Sequence, residues 1–394
     1  MAKYSNIIPD GACDLLFKEC EVRRSVERSL IDIFKSRGFS EVVTPSLEYY
    51  DVFSGKASIM PDEMMYKLIE GRGRILVLRP DNTTPIARIA STKLKGFVPP
   101  LRLFYNQNVF RISQYMSGRY DEVAQCGIEL IGVKGEKADI EVISTAVAAL
   151  KSVANKDFRF EIGHVGFYKA VIDELPFEDK EKELIRSLVA SKSYASLYTM
   201  LYNENNAACR ALSELPRLFG GIEVLDRALE IAPNRAAKET IEYLKSLYNI
   251  LCGMGLENNI MIDLGLVQQI DYYSGVVFRG YMHGPGEPVL SGGRYDDLFS
   301  GFGSDMPATG FAVNADAIAR EQVSEAKSER PNVIIYYEDG FAKNAFEYLE
   351  TLLISGLICE MSTFETLEKT IEYAKIKGIT RIDIITNNVN TIKV

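Results

Sequence analysis

Two histidines, His164 and His283, are all this 394-residue chain offers, and its six cysteines (Cys13, Cys20, Cys126, Cys209, Cys252, Cys359) are scattered without a CxxC pair. Structural zinc needs four closely spaced nitrogen or sulfur ligands, and a disulfide framework needs a small cysteine-dense chain, so neither is expected. No Ser/His/Asp or Cys/His nucleophile arrangement can be argued from these histidines. His164 follows a strand-like segment without a cysteine or carboxylate beside it and reads as structural, whereas His283, in the loop "MHGPGEP", reads as a surface residue. Apolar runs of the length that spans a bilayer, about 18 residues or more, are missing. The opening "MAKYSNIIPDGACDLLFKE" has no apolar core between a basic end and a cleavage site, so the expectation is a cytoplasmic protein without membrane contact. Basic charge is also short: 45 Lys and Arg stand against 54 Asp and Glu, a net charge of −9 that argues against broad nucleic-acid binding.

What remains is an ordinary globular composition, 47% hydrophobic and 25% charged, long enough for two or three domains. Val22, Val26, Leu30, Ile33 and Phe34 recur at helical spacing between Asp14 and Arg37, before Gly38. Strand-like runs follow: "EVVTPSLEYY", "RILVLRP", "LRLFYNQNVFRI" and "CGIELIGV". Pro45 cannot donate to a central ladder, so its strand is expected at an edge or interface. A helix over 137–153 and the alternating "FRFEIGHVG" come next, then a helical texture over about 166–254 that reads as an insertion. Strand texture resumes at "NIMIDLGL", continues through "DYYSGVVFRGY" and ends with "MPATGFAV", before a helix from about Ala315. The first unit therefore spans 1–320 and is an α+β domain. The polar run around 321–331 reads as a linker, and residues 332–394 alternate strand and helix as a small C-terminal α/β domain of βαβαβ, parallel type.

The segments "LRPDNTTPIAR", "LRLFYNQNVFRISQYMSGRYDEVAQCGIELIG", "LVQQIDYYSGVVF" and "LSGGRYDDL" occur in the order seen in histidyl-tRNA synthetases, and together they resemble that family's class II aminoacyl-tRNA synthetase core over roughly residues 5–320. The resemblance implies an antiparallel sheet with flanking helices and a pocket for free histidine. Such a pocket needs acceptors for the ammonium, donors for the carboxylate and partners for both ring nitrogens. Matched residue by residue, Asp81, Thr83 and Gln125 would hold the amino group, Arg111 the carboxylate and Glu129 the imidazole, with Tyr272 and Tyr273 beside it. Asp81 stands where the family has glutamate, one methylene shorter.

The apparatus for adenylation departs from the family. Ser113 stands for a glutamate, Gln114 and Asp121 for arginines, Val123 for the phenylalanine that would carry adenine, Ala317 for the motif 3 arginine and Gln268 for the arginine poised at the reacting phosphate. Each lost donor aimed at transition-state charge typically costs about 2.7–4 kcal/mol. Residues 331–394 hold six Lys and Arg against nine Asp and Glu, so a basic RNA footprint is absent there. A chain that keeps the amino-acid pocket and loses the ATP and tRNA apparatus resembles the ATP phosphoribosyltransferase regulatory subunits, whose usual "LRPDxTxPxAR" it also carries. That resemblance implies a subunit without catalysis and without a cofactor. Its partners would be the short catalytic subunit, L-histidine as feedback ligand and a second copy of itself, in a hetero-octamer, with no tRNA. Gln268 belongs to the implied histidine contacts, and Arg119 to a phosphate or nucleotide effector.

Other readings of the same residues stand beside these. Glu129 is what alternation alone produces on an exposed strand face. Asp81 and Thr83 are good helix N-caps. Gly292 and Gly293 fit a turn, Arg294 and Asp296 a structural ion pair, and Arg119 a solvated loop. If "DYYSG" is extended, Tyr272 and Tyr273 point to opposite faces and at most one meets a ligand. A divergent histidyl-tRNA synthetase, or an amino-acid-sensing module serving another partner, are the competing functions.

Overall fold

The first amphipathic stretch forms the helix Lys18–Ser36, and its apolar stripe is fully spent: Val26, Leu30 and Phe34 are at most 1% exposed. Phe34 meets Phe104 and Phe311 with ring centroids 5.9 and 5.8 Å away, which pins this helix to one face of a large sheet. The computed structural model describes residues 6–54, 60–113, 120–154, 157–202, 204, 206–267, 272–326 and 330–394, in two units that divide after Glu325.

In the first unit nine strands form one sheet, in the spatial order Ser40–Glu41, Leu101–Phe110, Glu122–Ile131, Ala308–Asn314, Leu290–Arg294, Val276–Met282, Phe158–His164, Ile260–Asp263 and Phe219–Gly220. Its neighbours are antiparallel except at Ser40–Glu41 beside Leu101–Phe110, and Phe158–His164 beside Ile260–Asp263. Helices Glu136–Val153 and Ala315–Gln322 pack with the first helix. The short helix Thr83–Ser91 lies across the opposite face, where Ile86, Ala87 and Ala90 join Leu101, Leu103, Tyr105 and Tyr295 in one apolar cluster. Six helices from Val165–Ile172 to Arg235–Gly253 fill the interval between Phe158–His164 and Ile260–Asp263. The first unit is thus an α+β domain with a largely antiparallel sheet, as expected from its texture.

Three local expectations are corrected. The stretch "EVVTPSLEYY" is not one strand: it breaks around Pro45 into Ser40–Glu41 and Leu47–Tyr49, and the latter edges a separate three-stranded sheet with Ile75–Leu78 and Lys67–Ile69. Proline's missing N–H and fixed φ separate the two ladders. Gly292 and Gly293 lie inside the strand Leu290–Arg294, not in a turn. The second unit carries a fourth strand beyond βαβαβ: Val389–Lys393 pairs antiparallel with Arg381–Ile385. Its mostly exposed residues give no apolar period to read.

The rest of that unit is doubly wound. Parallel strands Val333–Tyr337, Cys359–Met361 and Arg381–Ile385 carry helix Ala342–Ile354 on one face and Leu367–Lys377 on the other. Among the described residues no helix is long and apolar enough to cross a membrane.

Candidate functional site

On the face of the sheet away from the first helix, the register sets Glu129 opposite Leu103 on one side and Gly310 on the other. Glycine at 310 is required there, because a Cβ would stand 1.9 Å from Glu129 Oε2. Glu129 is 1% exposed. Its Oε1 accepts from the Thr83 hydroxyl at 2.8 Å and its Oε2 from the Tyr295 hydroxyl. Burial pushes its carboxyl up to about 8, against the pull of these two donors. A buried carboxyl held by hydroxyls alone is poised to meet a cation or a ring N–H.

Four tyrosines surround it. The rings of Tyr272 and Tyr295 stack at 5.1 Å, Tyr273 lies edge-on to Tyr272 at 4.8 Å, and Tyr105 packs across Gly127. Burial raises all four phenols, with the Glu129 charge as the next cause, so they stay neutral hydroxyls. The Tyr105 hydroxyl lies beside Thr83 yet has no hydrogen-bond partner among the described residues. Gly293 makes room for Tyr273, since a Cβ there would sit 2.8 Å from its ring.

The other expected contacts gather along the same face. Asp81 is buried with both oxygens on Thr84, from the backbone N–H at 2.7 Å and the hydroxyl at 3.1 Å, which ties it to the first turn of helix Thr83–Ser91. Burial raises the Asp81 carboxyl while the nearby Arg111 opposes the shift. Arg111 anchors its Nε on the Pro80 carbonyl at 2.7 Å. Gln125 lies four residues before Glu129 on the same strand, and its Oε1 accepts from Asn82 Nδ2 at 2.9 Å. Asn82 Oδ1 in turn accepts from Gln107 Nε2 at 3.3 Å. Gln107 Oε1 is fixed by the Thr44 N–H at 2.8 Å and Arg79 Nη1 at 2.9 Å. Gln268 and Arg119 fall outside the described residues.

Tyr272 and Tyr273 would face opposite ways only in an extended segment, and here the segment is not extended. The strand begins only at Val276, and the chain turns before it, so both rings reach the Glu129 cavity. Arg294 is structural: its guanidinium pairs with Asp139 at 2.7 Å and Asp296 at 3.1 Å and donates to the Val133 and Gly135 carbonyls. His164 caps a helix, its Nδ1 accepting from the Gly166 N–H at 3.0 Å, and burial holds it down at about 4. Sequence reasoning passed over Tyr105, Tyr295, Asn82 and Gln107. Tyr105 was legible as the next inward position after Leu101 and Leu103; the contact between Asn82 and Gln107 left no local signal.

Two of the positions that depart from the adenylating pattern, Ser113 and Asp121, bond each other. Ser113 donates to Asp121 Oδ1 from its N–H at 2.9 Å and its hydroxyl at 2.5 Å, and the Tyr66 hydroxyl donates to the other oxygen. These bonds outweigh burial and keep the Asp121 carboxyl below its usual value, hence charged. Ala317 is buried, with its N–H on Asn314 Oδ1 at 3.0 Å. Asn314→Ala removes this helix cap and is expected to lower stability by about 1 kcal/mol in chemical denaturation.

Residues 11–318 match the histidyl-tRNA synthetase family. The ATP phosphoribosyltransferase regulatory subunit of Clostridium kluyveri is 40% identical over 386 residues, covering 96% of this chain and 99% of that one. The protein of the same name from Clostridium botulinum is 38% identical, with 96% and 92% covered. Among solved structures, an ATP phosphoribosyltransferase regulatory subunit/histidyl-tRNA synthetase from Bacillus halodurans C superposes with a TM-score of 0.87 at 30% identity, covering 97% of this chain and 99% of that one. A histidyl-tRNA synthetase from a Nostoc species superposes with a TM-score of 0.81 over 97% and 92% of the two chains, at 19% identity, a likeness of fold.

Proposed function

Because this chain belongs to the ATP phosphoribosyltransferase regulatory subunits, a family built on the histidyl-tRNA synthetase fold, we propose that it is a non-catalytic subunit that binds L-histidine and conveys feedback inhibition to a separate, short catalytic chain, which it also activates. The observation that carries this reading is Glu129, a buried carboxyl with hydroxyl partners only, inside a cage of tyrosines. An imidazole N–H placed against it makes a charge-assisted hydrogen bond in a low-dielectric site. Burial raises the carboxyl to about 8 in the empty site, so near neutral pH a proton on it can be shared with the imidazole without uptake from solvent. In this reading Arg111 answers the ligand's carboxylate, and Asp81 and Thr83 take the ammonium.

The replaced residues support the absence of aminoacylation. Asp121 repels phosphate where an arginine would attract it, and Ala317 offers no charge at all. We expect no ATP–pyrophosphate exchange driven by L-histidine, no charging of tRNA, and phosphoribosyltransferase activity only once the catalytic chain is added. Synthetase-like charging by the purified chain would refute the proposal. For regulation, histidine must bind the low-activity assembly more tightly, and a differential of about 1–3 kcal/mol is ordinary for such coupling. In calorimetry, added catalytic chain should therefore shift histidine affinity; an identical isotherm would exclude the linkage.

A self-dimer within a cytoplasmic hetero-octamer completes the proposal. Leu47, Tyr49 and Leu68 share one face of the small three-stranded sheet and are 46%, 43% and 45% exposed. Such an apolar sheet face favours a protein partner over solvent.

A further inference from the structure

The buried amides beside the site form a chain whose polarity is set at one end. Arg79 and the Thr44 backbone N–H can only donate, so the atom of Gln107 that meets both must be its oxygen. That turns Gln107 Nε2 toward Asn82, so the facing Asn82 atom is Oδ1. Asn82 then presents Nδ2 to Gln125, whose facing atom is Oε1. Thr44, Arg79 and Gln107 are at most 7% exposed and Asn82 is fully buried, so water does not compete for these bonds. The end of the chain is Gln125 Nε2, which has no partner among the described residues. Gln125 and Glu129 lie on one face of one strand, about 13 Å apart by strand rise. That spacing is of the size needed to meet opposite ends of a bound amino acid.

We propose that Arg79, Gln107 and Asn82 are positioning residues that hold Gln125 as an N–H donor, so that Gln125 reads the carboxylate of the bound amino acid together with Arg111. The assignment deepens the histidine-binding reading and rests on it. It differs from the expectation that Gln125 serves as an acceptor for the ammonium. The chain also explains why the orientation of Gln125 persists in the empty site: reversing it would place Asn82 Nδ2 against Gln125 Nε2, two donors in contact. Undoing that clash requires turning Asn82, which sets its amide against Gln107, and Gln107 is locked by the guanidinium.

The test is calorimetry on the full chain with three ligands: L-histidine, histamine, which lacks the carboxylate, and imidazolepropionate, which lacks the amine. Gln125→Glu replaces the donor with an anion of the same shape. It is expected to weaken L-histidine and imidazolepropionate at least tenfold and to leave histamine unchanged or tighter. Asn82→Asp offers acceptors to both Gln107 Nε2 and Gln125 Nε2, turning the Gln125 oxygen outward. It should reproduce that ligand pattern with Gln125 itself intact. Thermal melting confirms that each variant is folded, and the split between ligands is a signature that general damage would not give. Unchanged imidazolepropionate affinity in Gln125→Glu, or a loss confined to histamine, would overturn the assignment while leaving histidine binding standing. Failure of the wild-type chain to bind any of the three ligands would overturn both.

Discussion

Glu129→Gln is expected to abolish measurable L-histidine binding and, at alkaline pH, to make the empty protein more stable. The binding loss follows from removing one partner of a buried, charge-assisted hydrogen bond, which costs about 2–5 kcal/mol, or roughly 30- to 4000-fold in affinity. The stability gain has the opposite origin. Burial raises the Glu129 carboxyl from 4.5 to about 8 in the folded chain. Between those values the folded state holds a proton that the unfolded state has released, so stability falls as pH rises through the window. Below it both states are protonated and the contribution vanishes; above it the full cost of a buried carboxylate is present. The amide cannot ionise. The variant should therefore exceed the wild type by on the order of 2–4 kcal/mol near pH 9, with the two converging near pH 4. Denaturant melts across pH, with and without L-histidine, measure both effects. Ligand stabilises the wild type by mass action and should leave the variant's midpoint unmoved. A variant that binds L-histidine normally, or whose stability tracks the wild type at every pH, would remove Glu129 from the site.

Gly310→Ala should disable the same site with no change of charge. The new Cβ would sit 1.9 Å from Glu129 Oε2 and 2.4 Å from the Ile128 carbonyl. Neither neighbour has room to yield. Both oxygens of the carboxyl are held, Oε1 by Thr83 and Oε2 by Tyr295, and the strand Ala308–Asn314 is paired along both edges. The expected result is loss of L-histidine binding with destabilisation of about 1–3 kcal/mol, the usual cost of overpacking a core. Gly253→Ala, where a Cβ meets nothing within 4 Å, is the matched control and should change neither. Calorimetry and denaturation on the three chains decide the matter, and wild-type affinity in Gly310→Ala would show that the carboxylate position is immaterial to binding.

Much of this protein was settled by its sequence alone. Alternation in "LRLFYNQNVFRI" and "CGIELIGV" marks two central strands, and the helical spacing of Val22, Val26, Leu30 and Phe34 marks the helix behind them. These signals are local, because strand and helix periods place side chains on faces within a few residues. The order of the motifs fixed the fold, and Ala317, Ser113 and Asp121 stand out in sequence as departures from an adenylating site. The tertiary structure decided what those faces meet. It brought Tyr272 and Tyr273 into one cavity, because the chain turns before Val276 and alternation does not apply there. It set Gly310 against Glu129 through a register between strands distant in sequence. It also oriented Gln107, whose oxygen is chosen by Arg79 and Thr44, 28 and 63 residues away. Hydrogen-bond direction is a property of donors in space, and no period in the chain records it.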